Sequence, residues 1–99
     1  MAVEHLVWFK LNEGVTDGEK AAMMNALRAL KTQVPNILHL AVGEDFSGRS
    51  IGFEIGLVVR LPDKKALEAY GPHPDHAAFG ANFRHFWSEV IALDFETQE

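Results

Sequence analysis

Val3 to Lys10 reads VEHLVWFK, and its alternation decides how the rest of the chain is read. Val3, His5, Val7 and Phe9 alternate with Glu4, Leu6, Trp8 and Lys10, a period of two that predicts a β-strand. Both sets are largely apolar. A strand of this kind has both faces buried, so the chain must cover each side of whatever sheet it joins.

NEGVTDGEK (12–20) breaks the strand. Thr16 is placed to cap a helix, and Glu19 three residues later completes a capping box. Met23, Leu27, Leu30 and Val34 then recur at helical spacing, which predicts a helix of about five turns burying one stripe. Pro35-Asn36 ends it. A second strand is expected over Ile37–Asp45, with Leu38, Leu40 and Val42 as an apolar row. FSGRSIG (46–52) is a hairpin-type connection to a third strand over Phe53–Leu61. Pro62-Asp63 opens a short helix, KKALEAY (64–70). Pro74 opens another helical piece carrying Phe79, Phe83 and Phe86, and a last strand is expected over Val90–Phe95. The order is β-α-β-β-α-β with the second α in two parts. This predicts an α+β, ferredoxin-like fold with a four-stranded antiparallel sheet and helices on one face, as a single domain over 1–99.

Helices cover one face of such a sheet, yet Leu6 and Trp8 make the other face of the first strand apolar too. A second copy of the chain is the simplest cover, so a homodimer through the sheet face is expected.

The 99 residues leave no length for a second core, and 47% hydrophobic with 23% charged residues is a globular composition. A net charge of −5 with no basic run argues against nucleic acid or an anionic membrane as partner. With no cysteine, disulfides, thiolate catalysis and Cys-based zinc sites are excluded. The N-terminal stretch has no basic region ahead of its apolar residues and is interrupted by Glu4, His5 and Lys10. It reads as neither signal peptide nor membrane span, so a cytoplasmic location is expected. The glycines form no phosphate-binding or dinucleotide pattern, and no cofactor is expected.

The chemistry-bearing residues concentrate in YGPHPDHAAFG (70–80). Pro74 suits the first position of a helix, which places His76 in the first turn. A helix N-terminus disfavours imidazolium and keeps the ring neutral, available as a base near pH 7. Tyr70 lies across the helix break, close enough for its hydroxyl to meet the same pocket. A neutral His beside a phenol can take a proton next to a carbonyl while the hydroxyl steadies the enolate. The alternative is a ring that packs on the sheet and bonds a backbone carbonyl. His5, on the strand face of Val3, Val7 and Phe9, points toward His76 if that face meets the helices. A polar ring there needs a partner, since an unpaired buried group costs about 1–3 kcal/mol. His73 flanks the helix start, and with His76 makes a His-x-x-His spacing whose third metal ligand would have to come from His5, His39 or Asp75; no metal is expected. His39 and His85 read as structural. Phe79, Phe83, Phe86 and Trp87 read as core, and so do Met23 and Met24, although methionines can also line an adaptable pocket.

HLVWFKL (5–11), ALEAYGPHPDHAAFGANFRHFW (66–87) and the closing ALDFE (92–96) together resemble the stress-responsive A/B barrel domain (Dabb) family, over essentially the whole chain. The resemblance implies a dimeric α+β barrel. A plant polyketide cyclase of that family performs an intramolecular aldol condensation without metal or cofactor. Its pattern, a His on the first strand, a Tyr ahead of His-Pro and the second His of His-Pro-x-His, falls on His5, Tyr70 and His76. The resemblance therefore implies these as catalytic residues, with a small-molecule pocket lined by Val7, Phe9, Met23, Met24, Leu27, Phe79, Phe83 and Trp87. Met23, Met24 and Leu27 stand where that cyclase carries larger aromatics, which implies a differently shaped acyl pocket. Two other functions fit the family: a non-catalytic, stress-related dimeric binding or scaffold protein, and a relative of the monooxygenases with similar barrels. No residue selects the latter.

Overall fold

The computed structural model describes residues 1–98. Its elements are β1 (Val3–Leu11), α1 (Asp17–Gln33), β2 (His39–Glu44), β3 (Ile55–Leu61), α2 (Lys64–Tyr70), α3 (Pro74–Phe83), a 3-10 turn (Arg84–Phe86) and β4 (Trp87–Glu96). The sheet is four-stranded in the order β2-β3-β1-β4 with every pairing antiparallel, the ferredoxin-like arrangement.

The local signals act as their chemistry requires. Thr16 accepts a hydrogen bond from the Glu19 backbone N–H while the Glu19 carboxylate accepts from the Thr16 N–H, so α1 starts on a closed capping box. Asp63 caps α2 by accepting from the Ala66 N–H at 2.8 Å, and Pro74 is the first residue of α3. Val34 is the extended C-cap of α1, and Asn36 turns the chain at φ 70° before β2.

The alternation of β1 sorts as expected: Val3, Val7, Phe9 and Leu11 are buried, and Trp8 is exposed. The inner face, continued by Ile55, Leu57, Val59 and Leu61 of β3, packs against Met23, Leu27 and Leu30 of α1 and against Tyr70 and Phe79. No helix is long and apolar enough to cross a membrane among the described residues.

Several boundaries differ from the expectations. β2 and β3 are shorter: β2 starts two residues later, at His39, and the 45–54 connection takes Asp45 from its end and Phe53 and Glu54 from the start of β3 through turns at Gly48, Ile51 and Gly52, all with positive φ. β4 is longer and begins at Trp87, since it pairs along the whole of β1. The Phe79–Phe83–Phe86 row is split: α3 ends at Phe83, and Phe86 lies in the 3-10 turn, its ring edge-on to Phe83 at 5.5 Å. Leu40 and Val42 face the helices, half-buried against the core, while Leu38 precedes the strand and is exposed. The outer apolar surface is instead supplied by Leu6 and Trp8 of β1 with Ile91, Leu93 and Phe95 of β4.

Candidate active site

His5 lies on the inner face of β1, where the register sets it opposite Val59 on one side and Asp94 on the other. Its Nδ1 meets the Asp94 Oδ1. A carboxylate only accepts, so Nδ1–H donates and, in the neutral ring, Nε2 keeps the lone pair. Asp94 is the residue that sequence reasoning missed. Its signal is the cross-strand pairing of ALDFE (92–96) with β1, which cannot be read until that register is known.

Tyr70 ends α2, and its ring is buried at 2% exposure. It lies edge-on to His5 at 5.5 Å between ring centres, and 4.5 Å from His76 on its other side. Its hydroxyl is buried and has no hydrogen-bond partner among the described residues. Burial pushes the phenol pKa up to about 12, so the group is a protonated donor at neutral pH.

The chain leaves α2 at Gly71 and re-enters helix at Pro74, with His73 as N-cap accepting from the Asp75 N–H at 3.2 Å. This turn folds His76 back so that its Nδ1 donates to the Gly71 carbonyl at 2.9 Å. The bond is the one expected of a merely packed ring. It also fixes the tautomer, because a carbonyl accepts only, and leaves Nε2 as the basic nitrogen. The His76 pKa is lowered, chiefly by burial, partly opposed by the Gly71 bond, with His5 and His73 adding repulsion. The ring is therefore neutral near pH 7 as expected from its helix position, with burial as the main cause.

His5, Tyr70 and His76 thus form one continuous row of rings, with Asp94 at its end. His39 and His85 are exposed and outside it. Among the described residues no group of three or more His, Asp or Glu side chains is arranged to hold a metal ion.

The expected pocket lining stands differently. Val7, Phe9, Met23, Leu27 and Phe79 are buried in the continuous core, with Met24, Phe83 and Trp87 packed against it. Met23 has no exposed surface at all. These side chains fill the space between sheet and helices because α1 and α3 pack directly on β1 and β3. The open space near the ring row lies elsewhere. No helix packs extensively along β4, so its inner-face residues Val90, Ala92 and Asp94, opposite Phe9, Val7 and His5, remain exposed, Val90 at 48%. A concavity of about 440 Å³ between α2 and β4, with Val3, Lys64, Leu67, Asp94 and Glu96 in its walls, reaches Asp94.

The profile of the stress-responsive A/B barrel domain matches residues 3–97. The chain belongs to this family. An uncharacterised protein from Streptomyces coelicolor is 35% identical over 96 residues, covering 95% of this chain and 98% of that protein. Olivetolic acid cyclase from Cannabis sativa is 25% identical over 97 residues, covering 96% of each. Among solved structures, a dimeric ferredoxin-like protein of unknown function from Thermobifida fusca superposes at TM-score 0.87 with 26% identity, covering 98% of this chain and 92% of that one.

Proposed function

We propose that this Dabb protein is a cofactor-independent enzyme of the polyketide cyclase type, which moves a proton next to a carbonyl and closes a carbon–carbon bond. His76 Nε2 is the base. It takes the proton from the carbon between two carbonyls, leaving an enolate whose oxygen accepts from the Tyr70 hydroxyl. The enolate carbon attacks a second carbonyl of the same chain, and the alkoxide formed takes the proton back from the His76 imidazolium. No electrons leave the substrate, so the cycle balances without an oxidant. His5, oriented by Asp94, holds Tyr70 and the substrate oxygen in place. The substrate lies along the open inner face of β4, over Val90 and Ala92.

The observation that carries this reading is the Tyr70 hydroxyl, buried without a hydrogen-bond partner among the described residues on a ring that lies between two imidazoles. An unsatisfied buried donor costs about 1–3 kcal/mol, and a substrate oxygen is the acceptor that would offset it. The likeness to olivetolic acid cyclase supports the reaction class. Turnover of a poly-β-keto thioester tests it. Cyclisation by the wild type, lost in a folded His76→Ala variant, is the expected result; equal turnover by both refutes it.

The active species proposed is a homodimer formed through the outer sheet face. Trp8, Ile91, Leu93 and Phe95 are each at least 47% exposed on that face, a larger apolar surface than a monomer keeps in water. Sedimentation at micromolar concentration tests this, and a stable monomer refutes it.

A further inference from the structure

His73 stands beside the ring row, and the reaction above does not use it. It lies between two prolines, Pro72 and Pro74, in the turn that joins α2 to α3. Pro74 restricts the residue before it to extended backbone, and His73 has φ −56° and ψ 136°. Held in that form, it makes three hydrogen bonds that span Tyr70 to Ala77. Its backbone N–H donates to the Tyr70 carbonyl at 3.3 Å, its carbonyl accepts from the Ala77 N–H at 2.9 Å, and its Nδ1 accepts from the Asp75 N–H at 3.2 Å. The first bond belongs to the end of α2 and the other two to the start of α3. One residue therefore joins the helix that carries the phenol to the helix that carries the base.

The cap is unusual in its chemistry. Ser, Thr, Asp and Asn are the common side chains at a helix N-cap, and each offers an oxygen. Here the acceptor is a ring nitrogen. Nδ1 accepts only while it carries no proton, so the neutral His73 ring holds its proton on Nε2, the opposite tautomer to that of His5 and His76. The choice matters because of what lies beside it. His76 is faced by His5 from β1, Tyr70 from α2 and His73 from the turn, and none of these is a carboxylate. Asp75 brings its own carboxylate to His73, 3.7 Å from Nδ1. An aspartate cap would hold α3 equally well, but its negative charge beside His76 would favour imidazolium and remove the neutral base. Imidazole caps the helix without that charge.

We propose that His73 is a positioning residue for His76: it caps α3 without placing a carboxylate beside the base, and so holds the His76 ring over Tyr70. This rests on the reading of His76 as the base and deepens it, by naming the residue that fixes where that ring stands. His76 closes the same turn from its other side, through the bond from its Nδ1 to the Gly71 carbonyl.

Three variants of the full chain separate the cap from its charge. His73→Ala removes the acceptor, and should lower the melting temperature by about 4–8 °C. It should also slow the exchange of a short β-keto thioester in D₂O by about ten- to a hundred-fold, the scale of a misplaced base. His73→Asn returns an uncharged acceptor and should restore both. His73→Asp also returns a cap and should melt like the Asn variant. NMR titration of the His76 ring then tells the two apart. His73 repels the His76 proton, so the His76 midpoint should rise from wild type to His73→Asn, and again to His73→Asp. The acid limb of the exchange profile should move with it. A residue that only capped the helix would leave the midpoint alike in all three proteins. An Asn variant as slow as the Ala variant, or an Asp variant whose His76 midpoint stays at the wild-type value, overturns the proposal. A wild type that promotes no exchange overturns the reading of His76 as the base, and the midpoints alone then decide whether His73 acts on that ring.

Discussion

The Tyr70 ring lies 4.5 Å from the His76 ring and 5.5 Å from the His5 ring, so one buried phenol lies between two imidazoles from distant segments, the first strand and the start of α3. The arrangement depends on two local devices. The helix break at Gly71–His73 turns His76 back over Tyr70, and the β1–β4 register gives His5 an acidic partner.

Tyr70→Phe separates function from stability. The substitution deletes a hydroxyl that has no hydrogen-bond partner among the described residues, so unfolding in urea should show a change within about 1 kcal/mol, neutral or stabilising. Turnover should fall, by on the order of 10² if the hydroxyl carries enolate charge. A loss of several kcal/mol in stability would mean that the hydroxyl is bonded within the fold.

Asp94→Asn should lower kcat by roughly ten- to a hundred-fold while KM moves little, the scale typical of a group that orients a histidine. The fold should survive, since the Asp94 side chain is 43% exposed at the sheet edge. NMR of the His5 ring nitrogens is the readout that a merely structural role would not move: the proton on Nδ1 should lose its preference in the variant.

The lowered His76 pKa has a definite consequence for stability against pH. The unfolded chain binds the His76 proton more readily than the folded one, so folding stability rises with pH between the folded pKa and the ordinary value near 6.5. The contribution is complete above 6.5 and is lost as pH falls through the folded value. Proton NMR should give a His76 midpoint below 6.5, and His76→Gln should flatten the stability profile in that window. An unshifted midpoint contradicts the burial argument.

Met23→Ala distinguishes core from pocket. As a fully buried residue, Met23 should cost about 2–5 kcal/mol when truncated, measured in urea. Val90→Phe, on the open face of β4, should leave stability nearly unchanged and shorten the acyl chains accepted. The reverse pattern would return the substrate to the space beneath α1.

Much of this was legible in the sequence because the signals are local. The period of two in VEHLVWFK, the Thr16–Glu19 capping box and the proline at the start of α3 each act within a few residues. The His5–Tyr70–His76 row was reached through the family resemblance together with the inward face of β1. The parts that were not legible depend on tertiary placement. Asp94 becomes the partner of His5 only through the β1–β4 register, and the apolar run in β4 gives no sign that its inner face stays uncovered. Met23 and Leu27 have the same sequence character as core or as pocket lining, and only the close approach of α1 to the sheet decides between them.

Proton abstraction by His76 is the central claim, and hydrogen exchange tests it most directly. A β-keto thioester too short to cyclise should exchange the proton between its carbonyls for deuterium in D₂O at pH 7 when the wild type is present. His76→Ala should slow that enzyme-dependent exchange by about 10²–10⁴-fold, the usual contribution of a positioned general base. Equal exchange by wild type and a folded His76→Ala variant would contradict the account.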